Sequence, residues 1–87
     1  MALTGMDIAE VQRLAAQLHS AAGDLRTMAN NLTTALGNTT WIGPDRQRFE
    51  SDWQSIHASQ INHVAEALDQ ASNNANQNAQ QQHDASL

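Results

Sequence analysis

The stretch Leu36-Gly37-Asn38-Thr39-Thr40-Trp41-Ile42-Gly43-Pro44-Asp45 decides the fold, because it breaks the chain between two long apolar-periodic segments. Gly37 suits a helix C-terminal cap, and Asn38-Thr39-Thr40 are poor helix formers. Gly43-Pro44-Asp45 reads as a new start, with proline at the first helical position and an acid beside the positive helix end. The break lies near the middle of an 87-residue chain, so the expected fold is all-α: a helix-turn-helix hairpin with an aromatic bend.

Upstream of the break, Asp7 and Glu10 form a capping-box-like pair. From there Ile8, Val11, Ala15, Leu18, Ala22, Leu25, Ala29, Leu32 and Leu36 recur in alternating steps of three and four. Leu14, Ala21, Met28 and Ala35 form a second row beside them, one every seven residues. The combined stripe is wider than one facing helix covers, so the first helix is expected to touch at least two neighbours. The alanines at 15, 22 and 29 should let a neighbouring helix come near. Gly23, inside the pattern, marks either a close approach or a tolerated defect of about 1 kcal/mol relative to alanine.

Downstream, Phe49, Trp53, Ile56, His57, Ile61, Val64, Leu68, Ala71 and Ala75 continue as a face spaced by threes and fours. From Asn73 to Gln82, eight of ten residues are Asn or Gln, a composition that predicts fraying past residue 78. The reading is one domain over 1–87, with helix 1 at about 7–36, a turn at 37–43, helix 2 at about 44–77 and a polar tail at 78–87. Each helix should run on the order of 45 Å.

A domain this small buries only roughly 60% of its unfolded surface and needs a disulfide, a metal or a partner chain. There is no cysteine, which excludes disulfides, thiol chemistry and Cys-based zinc sites. Nine acidic residues against four arginines and no lysine give a net charge of -5, which disfavours nucleic acid and anionic membrane surfaces. The start Met1-Ala2-Leu3-Thr4-Gly5-Met6-Asp7 has neither a basic region nor an apolar run, so no Sec-type signal peptide is expected. No stretch approaches the ~20 apolar residues of a membrane span, and stable membrane insertion is not expected.

The chemistry-bearing residues do not converge. His57 and His63 fall on different helix faces, His19 and His83 stand alone, and no His pair has the spacing of three or four that helical zinc sites use. His57, between Trp53 and Ile61, reads as an interface residue. Asp7 with Glu10 and Glu50 with Asp52 sit at a helix start or on a solvent face, and a two-helix hairpin hardly forms a catalytic pocket. No metal, cofactor or enzymatic activity is expected. Trp41 serves either as core filling or as a recognition surface beside the turn, and the two uses are compatible. The core and dimer residues expected are Leu18, Leu25, Leu32, Phe49, Trp53, Ile61, Val64 and Leu68.

With its size, the central Trp41-Ile42-Gly43, the Gly43-Pro44-Asp45 start and Phe49 followed by Trp53, the chain resembles the WXG family of small early-secreted-antigen-like proteins over nearly its whole length. The resemblance implies a hairpin that dimerises antiparallel into a four-helix bundle. It implies export without a Sec signal by the type VII (ESX) system, whose membrane-bound ATPase is of the FtsK/SpoIIIE type. Trp41 and Gly43 would be the turn half of the export signal. The other half in the family is a C-terminal Tyr-x-x-x-Asp/Glu; this chain has no tyrosine, and Gln80 stands four residues before Asp84. The expected function is a non-enzymatic secreted protein, cytoplasmic before export, that pairs with itself or a paralogue. The alternative is an intracellular adaptor that masks a helical segment of a secreted effector.

Overall fold

The computed structural model describes residues 5–86, so Met1–Thr4 and Leu87 of the expected polar tail lie outside it. Two long helical arms fold back on each other into a rod with extents of 65 × 17 × 17 Å. The first arm is α1 (Ile8–Gly37). The second is α2 (Pro44–Asp52), a π-helical turn (Trp53–His57) and α3 (Ala58–Ala85) in one unbroken column. The described residues contain no strand.

Asp7 starts α1 in an extended conformation, and its carboxylate accepts from the Glu10 amide at 3.0 Å. That satisfies one of the amides a helix start leaves without a partner. The other end differs from expectation. Gly37 is the last helical residue and adopts no left-handed conformation, Gly43 being the one positive-φ position among the described residues. The last carbonyls are met instead by the Asn38 amide and by Thr39, whose Oγ1 donates to the Ala35 carbonyl at 2.7 Å. Gly23 makes no close approach within the chain, since an added Cβ would meet nothing within 4 Å.

The contact between the arms is made of small residues. Ala15, Ala22 and Ala29 on α1 and Ala65, Ser72 and Ala79 on α3 are the buried residues of the hairpin, four of them fully. Both sets repeat every seven residues, so each forms a straight seam along its helix. Side chains this short let the backbones approach closely, and the Ser72 hydroxyl donates across the seam to the Ala15 carbonyl at 2.6 Å. That bond fixes the sliding register of the two arms.

The seam also corrects the expected end of the second arm. The helix runs to Ala85 instead of fraying past residue 78, although its outer surface is almost all amide. Ser72 and Ala79 continue the seven-residue spacing of Ala65, so this polar stretch is held along α1. A further difference lies at Trp53–His57, where the Ala58 amide bonds to the Trp53 carbonyl five residues back. The Ser55 hydroxyl donates to the Ser51 carbonyl just before it, a back-bond that competes with regular winding. One residue is thereby accommodated in the turn without a break in the column.

Candidate functional site

Gly43 has φ 131° and ψ 179°, a conformation that essentially only glycine adopts. It lets the chain leave the bend and enter α2 with Pro44 at the first helical position. The glycine of the Trp-x-Gly triplet thus has a backbone cause. Trp41 packs against Phe49 with ring centroids 5.5 Å apart and planes tilted by 51°, a favoured aromatic arrangement. Trp41 still keeps 38% of its surface, Phe49 49%, and Ile42 at the tip 92%.

Arg46 holds this bend from below. Its Nη1 donates to the carbonyls of Thr39 and Trp41 at 3.3 and 3.2 Å, and its Nε to Glu50 at 3.3 Å. A guanidinium presents its donors in a fixed fork, which suits two carbonyls and a carboxylate at once. Sequence reasoning passed over Arg46; its one visible signal was Glu50 four residues on.

The two flanks of the alanine seam carry different chemistry. On one, His19, Arg26 and Thr33 form a seven-residue row on α1. Asp69 on α3 receives His19 Nδ1 at 2.9 Å and Arg26 Nη2 at 2.8 Å. Chiefly the Arg26 hydrogen bond, then that of His19, hold the Asp69 carboxyl below its ordinary value. Further along the same row Trp53 Nε1 donates to Thr33 Oγ1 at 2.8 Å.

On the other flank the α1 row is Leu18, Leu25 and Leu32, with Leu14 and Met28 beyond it. It meets the α3 row of Ile61 and Leu68 and its neighbour Val64. Between the arms near the bend lies an open groove of about 430 Å³, lined by Leu25, Trp53, His57, Gln60, Ile61 and Val64. His57 stands 6.4 Å from the Trp53 ring, centroid to centroid. No Asp, Glu, Lys or Arg lines this groove.

The structure therefore brings Leu25, Trp53, Ile61 and Val64 together, and sets Trp41, Gly43 and Phe49 at the bend. None of the eight large residues expected as core or dimer contacts lies in the seam. Leu18, Leu25, Trp53, Ile61 and Leu68 are half-buried beside it, and Leu32, Phe49 and Val64 are exposed at 54, 49 and 52%. The alternating row of alanines and leucines on α1 splits into two jobs: the alanines face the other arm, while Leu18 and Leu25 flank that contact half-buried and Leu32 is exposed. Among the described residues no group of three or more His, Asp or Glu is placed to hold a metal ion. None of their helices is long and apolar enough to cross a membrane. The chain matches no protein-family model, no curated protein and no solved structure.

Proposed function

We propose that this chain is a WXG-type protein that works through helix–helix association and is exported by a type VII secretion system. The observation that carries the association is the division of labour at the seam. Among the described residues the hairpin buries only alanines and a serine, while Leu14, Met28, Leu32 and Val64 keep half or more of their surface. Covering the exposed half of such a side chain contributes about 1 kcal/mol. Burying the methyl groups of a seam does far less to offset the roughly 1–2 kcal/mol of backbone entropy per ordered residue. A partner on the apolar flank supplies what the hairpin lacks, and two hairpins so paired make a four-helix bundle.

The export reading rests on the bend. A glycine-only backbone, a clamped loop and a partly open tryptophan at one end of a rod make a rigid feature that a secretion ATPase can read. The resemblance to the WXG family assigns Trp41 and Gly43 that part. One observation favours the second reading, an intracellular adaptor for a secreted effector: the chain has no tyrosine to complete a tail signal.

The test measures the protein in the medium of its native host, with and without the type VII ATPase, for the unaltered chain and Trp41→Ala. Appearance that needs both the ATPase and Trp41, with association intact by light scattering, is the expected result. Retention in both strains would sink the export reading and favour the adaptor. Export that ignores Trp41 would remove the bend from the signal.

A further inference from the structure

The bend has almost no backbone bonding of its own. Among the described residues, the backbone bonds around it run from the Thr39 amide to the Leu36 carbonyl and from the Gln47 amide to the Gly43 carbonyl. None involves Thr40, Trp41 or Ile42. The Arg46 guanidinium supplies what is missing, by donating to the carbonyls of Thr39 and Trp41 on either side of Thr40. We propose that Arg46 is the positioning residue of the bend: it fixes the direction in which Trp41 presents its open face, and recognition of that face depends on it. This rests on the export reading above and adds the residue through which the Trp-x-Gly turn is displayed.

The π turn is what brings this side chain to the bend. Along the second arm the half-buried residues are Arg46, Glu50 and Trp53, and the next is Ala58, a step of five residues across the π turn. Regular winding through the same residues would set Gln47, Ser51 and Gln54 in those places. Those three lie exposed instead, along an open polar recess on α2. Only 16% of the Arg46 side chain stays exposed, against 74% for Arg48, whose one charged neighbour is Asp45 at 3.9 Å. Two arginines two residues apart thus have different work, and only one of them has carbonyls to hold.

The chemistry of the group suits the task. Glu50 accepts from Nε, which turns the fork so that Nη1 is left for the two carbonyls. A planar guanidinium fixes a direction, whereas an ammonium on a flexible stem is a point charge. Trp41 is tied to α2 twice, by its carbonyl to Arg46 and by its ring to Phe49. The part of its surface left open therefore faces one way relative to the helix. A loose loop would lose its freedom on being recognised, and a held one has lost it beforehand.

The test separates holding Trp41 from keeping the helix folded. Trp53→Phe leaves Trp41 as the one tryptophan, so emission and quenching by acrylamide then report the bend alone. In that background Arg46→Ala should shift the emission to the red and raise the quenching, at unchanged helical content. In the otherwise unaltered chain it should lower ATPase-dependent export roughly tenfold, the factor that one hydrogen bond from a charged donor commands. Arg46→Lys should not restore export. The exchange of Arg46→Glu with Glu50→Arg keeps the ion pair and the net charge but carries the guanidinium a turn away from the carbonyls, and it should fail as Arg46→Ala does. Full export from either Arg46→Ala or the exchange would overturn the proposal, as would an unmoved Trp41 emission in Arg46→Ala. Trp41→Ala keeps the two readings apart. Export that ignores Trp41 sinks the bend as a signal, whereas export that needs Trp41 but not Arg46 sinks only this role.

Discussion

The two flanks of the alanine seam start from the same backbone geometry and end in opposite states. On the polar flank, Asp69 collects His19 and Arg26, and Trp53 reaches Thr33, so the hydrogen-bonding groups find partners inside one chain. On the apolar flank, Leu25, Ile61 and Val64 line a groove that none of the described residues fills. A hairpin of two helices has enough polar groups to close one side but no third layer to close the other. The polar flank therefore closes within the hairpin, whereas the apolar flank stays open.

The largest test removes the seam that both flanks depend on. Ala22→Leu forces a branched side chain into a fully buried position and should cost about 3 kcal/mol, enough to lose most of the helical signal on mild heating. Retained helicity with an unchanged thermal midpoint would mean that the arms do not meet through alanines. Leu25→Asp attacks only the apolar flank. It should weaken association by about 2–3 kcal/mol, a shift to monomer in light scattering, because a covered groove would hold an unpaired carboxylate. A folded dimer from this variant would separate the groove from association.

Trp53→Phe probes the residue that joins the flanks. It keeps a ring in the groove and deletes the donor to Thr33, and a loss of about 1 kcal/mol in thermal stability is expected, with association little changed. The reverse pattern, with association lost and stability kept, would move Trp53 wholly to the partner side. Asp69→Asn should have the smallest effect, because the pair is solvent-screened. Its pH dependence has a definite sign. A carboxyl whose folded value lies below its ordinary value stabilises the fold above the ordinary range near pH 3.8, and that contribution is lost as pH falls through the folded value. Unfolding midpoints measured from pH 7 to 2 should therefore converge for the two proteins only at the acid end.

Much of this comparison was legible in the sequence, and what was not has a physical reason. Asp7, Pro44 and the Asn38–Thr40 break fix the arms because caps and breakers act locally. The alanines at 15, 22 and 29 announced a close neighbour. What periodicity could not tell is which sub-row of an apolar stripe faces the other arm, since alanine and leucine satisfy the same pattern. The repeat of Ala58, Ala65, Ser72 and Ala79, which matches that on α1, was the signal for it. The same repeat would have carried the helix through the amide-rich end, where composition alone argued for fraying. Trp53-Gln54-Ser55-Ile56-His57 looks like ordinary helix, so the π turn left no mark that spacing could detect. At the bend, Trp41 and Gly43 were readable, but the Arg46 clamp depends on carbonyls placed only once the loop is folded.

That π turn gives the second arm one residue of slack. A π turn winds through about the angle of an ordinary turn with one residue more, so cutting one residue from Trp53–His57 would restore regular winding and leave Pro44–Asp52, with the bend attached, on nearly the same heading. The direction in which the tip looks is thus insulated from a change of one residue in the stretch that joins it to the groove.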